Sequence, residues 1–150
     1  MKILFVLSLI FTALAARAED FGVGVILGDP TGLSAKMKLD GDHSLDGALA
    51  YSTGKHSGLQ LHADYLRDHA RSWTTKGGPL DLYYGLGGRV ISYKEDHKSE
   101  TSLGPRGSLG LSFDVFNPNI ELFGELALIL EVVPDMTADL DAGIGARIRF

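Results

Sequence analysis

Apolar and polar or small residues alternate one by one through most of the chain. No stretch sustains the i, i+3, i+4, i+7 spacing of an amphipathic helix. Period-two alternation predicts strands with one apolar and one polar face. Eight are delimited, at 20–28, 32–40, 44–53, 58–67, 79–91, 105–116, 119–132 and 137–150. The breaks carry turn chemistry: Asp29-Pro30-Thr31-Gly32, Gly41-Asp42, Gly54, Gly77-Gly78-Pro79, Asn117-Pro118-Asn119 and Pro134-Asp135.

The two faces differ sharply. One collects Val23, Val25, Leu27, Leu33, Leu49, Leu61, Leu86, Leu109, Leu126, Ile144 and their neighbours in phase, 40 positions with no charge. The opposite face of the same strands holds Lys36, Lys38, Asp46, Asp64, Asp81, Arg89, Arg106, Asp114, Glu121, Glu125, Glu131, Asp139, Asp141, Arg147 and Arg149, with Gln60 and His62. In a soluble barrel the apolar face fills the interior; in a membrane barrel it meets lipid and the charged face packs into the lumen. Residue size separates the two. The charged face is also rich in Gly22, Gly24, Ser34, Ala48, Gly85, Gly87, Ser108, Gly110 and Gly143, which make room for long basic side chains in a narrow interior but serve no purpose on a wet surface. The reading is all-β: an eight-stranded antiparallel up-and-down transmembrane β-barrel. Its lumen is closed by a charge network of Lys36, Lys38, Asp46, His62, Asp64, Asp81, Arg89, Arg106, Asp114, Glu121, Glu125, Asp139, Asp141, Arg147 and Arg149.

The first residues change the compartment. Lys2, the apolar run Ile3 to Ala15, and Ala16-Arg17-Ala18 have the three parts of a secretory signal peptide, and the apolar run is too short to span a bilayer as a helix. Cleavage after Ala18 assigns residues 1–18 to the signal and 19–150 to one barrel domain. Removing Lys2 and Arg17 takes the formal charge from −5 to −7, which argues against nucleic acid as a partner. The chain has no cysteine, so no disulfide staples the exported domain. The last strand alternates without interruption to Ile148 and Phe150, which are expected to form an assembly signal.

From Phe21 to Phe150 the chain resembles the small outer-membrane barrels of the OmpA-like transmembrane type, and more narrowly a group of short uncharacterised envelope proteins. The residues that carry the narrower likeness are Gly28-Asp29-Pro30-Thr31-Gly32-Leu33-Ser34-Ala35-Lys36, Leu59 to Tyr65, Leu82 to Arg89 and Gly143 to Arg147. The resemblance implies an outer-membrane location, contact with outer-membrane lipids and lipopolysaccharide, and recognition of the C-terminal strand by barrel-assembly machinery. It also implies periplasmic termini, so that Asp29–Gly32, Thr53–Ser57, Ser92–Gly104 and Val133–Thr137 face outward. OmpA proteins proper carry a peptidoglycan-binding domain after the barrel, and this sequence ends at its last strand. Ser92–Gly104 is expected as a long, charged, mobile outer loop, and Asp68–Gly78 as a long periplasmic connection with a short helical turn and Trp73 at the membrane interface.

Chemistry is weakly signalled. His62 and Asp64 share a strand face, and Ser34, Ser52, Ser108 and Ser112 are available as nucleophiles for an outer-membrane lipid-modifying enzyme. No serine lies in a nucleophile motif, however, and His62 reads more simply as part of the luminal network. The five histidines show no metal-ligand spacing, and no cofactor motif is present in its proper context. Glu121, Glu125 and Glu131 face Arg147 and Arg149 on the next strand, which suggests a paired ladder rather than acid–base catalysis. The expected role is therefore structural or surface-interacting, not enzymatic, with the surface ligand unknown. A lipid-modifying enzyme and a soluble periplasmic lipocalin-like carrier are the alternatives.

Overall fold

The computed structural model describes residues 20–54, 56–115 and 119–150. Residues 1–18, expected as a signal peptide, and Asn117-Pro118 of one expected turn lie outside the described residues. The strands are β1 (Asp20–Asp29), β2 (Thr31–Lys38), β3 (His43–Ser52), β4 (Gly58–Thr75), β5 (Gly78–Glu95), β6 (Lys98–Val115), β7 (Ile120–Glu131) and β8 (Thr137–Arg149). Each pairs antiparallel with the next, and β8 returns to β1, with Gly22 opposite Arg149 and Asp29 opposite Ala142. Closure leaves no sheet edge through the body of the barrel.

Because side chains alternate strictly, the register carries the sequence's two faces around the ring. Lys36, Asp46, Asp64, Gly87 and Arg106 lie on successive strands as direct partners, all on the inner side. Leu33, Leu61, Leu86, Leu126 and Ile144 are on the other side and open to the surroundings, Leu86 at 75% exposure. Arg89, Arg106 and Arg147 are at most 2% exposed. The interior also takes Ile26, Leu66, Tyr83, Ile91, Phe123 and Ile129, apolar residues in the inward phase that the face count had not singled out.

Three strands are longer than the alternation indicated. β4, β5 and β6 each run 18 residues and project as hairpins from opposite ends of the barrel. Ser92–Gly104, expected as a mobile loop, is almost wholly strand. Tyr93 pairs with Glu100, Lys94 with Ser99 and Glu95 with Lys98, around a two-residue turn of Asp96 and His97. Both turn residues have positive φ (47° and 65°), which matches the twist of a tight hairpin. Its mixed charges hid the strand because, beyond the barrel wall, neither face needs to be apolar. The Asp68–Gly78 connection likewise contains strand rather than a helical turn. β4 continues to Thr75, with a register shift between His69 and Trp73 and Arg71 at φ 55°. Trp73 stands exposed on this hairpin.

The short turns at the end away from the termini are tied together. Asp29 accepts a hydrogen bond from the Ser52 hydroxyl at 2.7 Å and another from the Thr53 amide at 3.0 Å, joining the first turn to the second. Leu103 bridges to Val133, so the β7–β8 turn leans on β6. On the opposite rim, Asp40 caps its turn by accepting the amides of Asp42 and His43, each at 2.9 Å.

Candidate functional site

The polar interior is organised around four arginines. Each is held by at least two carboxylates, most of them from strands that are not its neighbours. At the termini end, Arg149 donates to Asp20 of β1 (Nε, 2.7 Å) and Asp114 of β6 (2.6 Å). Deeper in, Arg147 donates to Glu121 of β7 at 2.8 Å and to Asp46 of β3. Its Nε and Nη2 share the Ser34 hydroxyl, and its guanidinium lies 3.8 Å from the centre of the Phe123 ring. Arg106 spans Asp64 of β4 and Glu125 of β7, the latter at 2.5 Å. Towards the other end, Arg89 reaches Glu131 at 2.5 Å, Asp139 at 2.7 Å and Asp141 at 2.9 Å. Such pairing is what allows charges to be taken out of water at all.

Neutral and cationic side chains complete the network. Tyr83 donates to Glu125 at 3.1 Å, and the Lys36 ammonium sits 4.7 Å from the Tyr83 ring centre while pairing with Asp68 at 2.9 Å. The Ser44 hydroxyl also donates to Asp68, and Gln60 donates to Asp141 at 2.8 Å. Glycine is required where these chains pass the wall. A Cβ on Gly110 would overlap the Tyr83 phenol, and one on Gly87 would overlap the Asp64 carboxylate.

Most of the expected network residues therefore meet. Lys36, Asp46, Asp64, Arg89, Arg106, Asp114, Glu121, Glu125, Asp139, Asp141, Arg147 and Arg149 all form ion pairs, and His62 is buried among them. Two do not join. Lys38 has no ion pair among the described residues, and Asp81 accepts the Arg71 amide at 2.6 Å instead of a cation. Both line a small cavity of about 50 Å³ at the termini end. Asp20, Asp68 and Tyr83 belong to the network without having been expected there. So do Gln60 and Glu131, which the alternation had placed on the charged face but not in the network. Inward phase alone would have found Tyr83; Asp68 was hidden because it was read as part of a connection.

Catalysis by His62 lacks its geometry. The only hydrogen-bond contact of its ring among the described residues is Gln60 Nε2, 3.4 Å from Nδ1. Of the four candidate serines, Ser34 is bound to Arg147 and Ser52 to Asp29, and the Ser108 hydroxyl is buried without a partner. A carrier of apolar ligands also fits poorly, since the described interior is lined by ion pairs. At the end away from the termini lies a basin of about 510 Å³, lined by Tyr93, Glu95, Glu100, Glu131 and Asp135 among others. His56 stacks on Tyr93 there, with ring centres 4.2 Å apart.

Neither a family model nor a curated protein matches the chain by sequence. Among solved structures, the crystal structure of the N-terminal β-barrel domain of Pseudomonas aeruginosa OprF matches with a TM-score of 0.64 at 15% identity. The match covers 89% of this chain and 98% of that one. The likeness shows the fold, a small closed barrel of eight antiparallel strands.

Proposed function

We propose that the chain is an integral outer-membrane barrel with a structural or surface-interacting role in the cell envelope. The observation that carries this reading is the inversion of the molecule: Val25, Leu33, Leu61, Leu86, Leu126 and Ile144 are exposed while Arg89, Arg106 and Arg147 are buried. A water-soluble protein of this size does not present a continuous apolar belt. On β5 the belt runs from Leu80 to Val90, a rise of about 34 Å at about 3.4 Å per residue. With a strand tilt of about 40° this gives about 26 Å, close to the apolar height of outer-membrane barrels. Trp73 lies near one rim and Tyr51 near the other, as aromatic girdles do.

The charged ladder fills the lumen, so the barrel is a plug rather than an open pore. With the termini in the periplasm, the β5–β6 hairpin and the basin beneath it face outward. They form the largest outer feature among the described residues and are the surface on which an interaction is to be sought. The assembly machinery is proposed to recognise the C-terminal strand through outward-facing Ile148 and Phe150.

The reading is tested by expressing the chain, fractionating the envelope and running outer membranes on a denaturing gel with and without boiling. A band in that fraction whose mobility changes on heating is the expected result. A soluble periplasmic product without a heat shift overturns it. Purified barrel in a planar bilayer should give no stable conductance, and a steady ohmic current would refute the plugged lumen.

A further inference from the structure

We infer that the middle of the lumen holds a binding site for one divalent transition-metal ion, with Asp46, His62 and Asp64 as its protein ligands. The three belong to one patch of the wall. Asp46 on β3 and Asp64 on β4 are direct cross-strand partners, and His62 is opposite Ala48, two residues along β4 on the same face. All three are buried, and one donor atom from each lies within 4.8 Å of the other two.

Three separate observations point to a cation there. Like charges placed directly opposite on adjacent strands repel, yet this register holds two carboxylates in that relation. Among the described residues, the lumen's buried charged side chains number six carboxylates against three guanidiniums, an excess of three negative charges that a divalent ion reduces to one. Finally, Asp64 Oδ1 is buried without a hydrogen-bond partner, although Arg106 satisfies the other oxygen of the same carboxylate. Arg147 likewise holds one oxygen of Asp46, so each carboxylate is oriented by an arginine through one oxygen and keeps the other, as outer partners orient metal ligands.

The donor set selects the class of ion. One imidazole with two carboxylates suits Zn²⁺ and its neighbours better than Ca²⁺ or Mg²⁺, which take oxygen donors only. Tetrahedral bonds of about 2.1 Å place donors about 3.4 Å apart, so the three must close in by up to about 1.4 Å. The spacing of histidines along the sequence gave no hint of this site, because Asp46 is delivered by strand pairing and not by a motif. The inference does not depend on where the barrel resides.

The test uses the full chain folded in detergent, with folding verified by heat-dependent gel mobility. The chain is stripped with EDTA and titrated with Zn²⁺ by equilibrium dialysis and elemental analysis. About one ion per folded chain is expected, with affinity at least tenfold weaker in His62→Ala and Asp64→Asn and unchanged in His97→Ala, whose histidine is in the β5–β6 turn. No stoichiometric binding by the folded wild-type chain, or equal binding by His62→Ala, overturns the site. Should the variants fail to fold, X-ray absorption on the Zn²⁺-loaded wild type decides. One imidazole nitrogen with oxygen donors supports the site, and two or more imidazoles mean binding by other histidines and overturn it.

Discussion

Arg147 offers the sharpest test of the luminal network. Arg147→Met keeps much of the side-chain volume but removes the donor that Asp46, Glu121 and Ser34 share. At 2.8 Å and an effective dielectric constant of about 20, the Glu121 pair alone represents about 6 kcal/mol of attraction, most of it offset by the desolvation of both groups. Removing one partner leaves the offset without the attraction. The expected loss is therefore about 3–5 kcal/mol, the range for a buried charge stripped of its partner. Adding Asp46→Asn and Glu121→Gln to the same chain removes the stranded charges and should bring the loss below about 2 kcal/mol, since neutral replacement of a whole buried cluster is tolerated. Both are measured by urea unfolding in phospholipid vesicles, followed by the emission of Trp73, the only tryptophan, and by gel mobility. A loss under about 1 kcal/mol for Arg147→Met, or a triple variant as unstable as the single one, would refute the claim that paired burial holds the lumen together.

Leu86→Arg places a charge in the middle of the outward belt and should cost about 2–4 kcal/mol in vesicles; stability unchanged by the substitution would mean that water, not lipid, meets this face. Gly110→Val forces the Tyr83 phenol from its place over the β6 backbone, with an expected loss of about 1–3 kcal/mol by the same urea assay. Hydrogen bonds from the Asp42 amide, then the His43 ring, and more weakly the His43 amide hold the Asp40 carboxyl below its ordinary 3.8. Its folded value lies below its unfolded one, so its contribution is fully present above about pH 4 and lost as pH falls through the folded value. A carboxyl NMR titration of Asp40 with a midpoint at or above 3.8 would contradict this. Replacing Lys94–Ser99 by a two-residue turn should leave the heat shift intact, because these residues pair only with one another. A variant that no longer folds would show that the hairpin supports the barrel.

Where a strand crosses the belt, a buried polar side and an outward apolar side force strict alternation, and all eight strands were legible for that reason. The signal vanished wherever this constraint ended. Lys94 to Thr101 and His69 to Thr75 are hairpin segments with both faces wet, and their mixed charges resemble a loop. The network was legible as a set of inward residues but not as pairs. Nothing along the sequence indicates that Arg106 meets Asp64 and Glu125, since that depends on how far the register has climbed around the ring. Lys38 and Asp81 show the limit of phase as a guide, because inward residues near the rim line an open cavity and need no ion-pair partner.

The pairing scheme has a consequence for how the barrel closes. Arg147 of β8 meets Asp46 of β3, which is 101 residues away, and Arg89 of β5 meets Asp139 and Asp141 of β8, which are 50 and 52 away. These partners are not supplied by neighbouring hairpins. A chain that formed its hairpins one at a time within lipid would leave these cross-ring partners unpaired, at a cost of several kcal/mol for every such charge. The ladder is complete only when β8 closes the ring and brings Arg147 to Asp46 and Asp139 and Asp141 to Arg89. β7 is central to that step, for Glu121, Glu125 and Glu131 receive Arg147, Arg106 and Arg89 in turn. In a domain without a disulfide, and with little apolar core inside the ring, cross-lumen pairing takes over the cohesive role that apolar packing has in a soluble protein. It penalises an open sheet far more than a closed barrel.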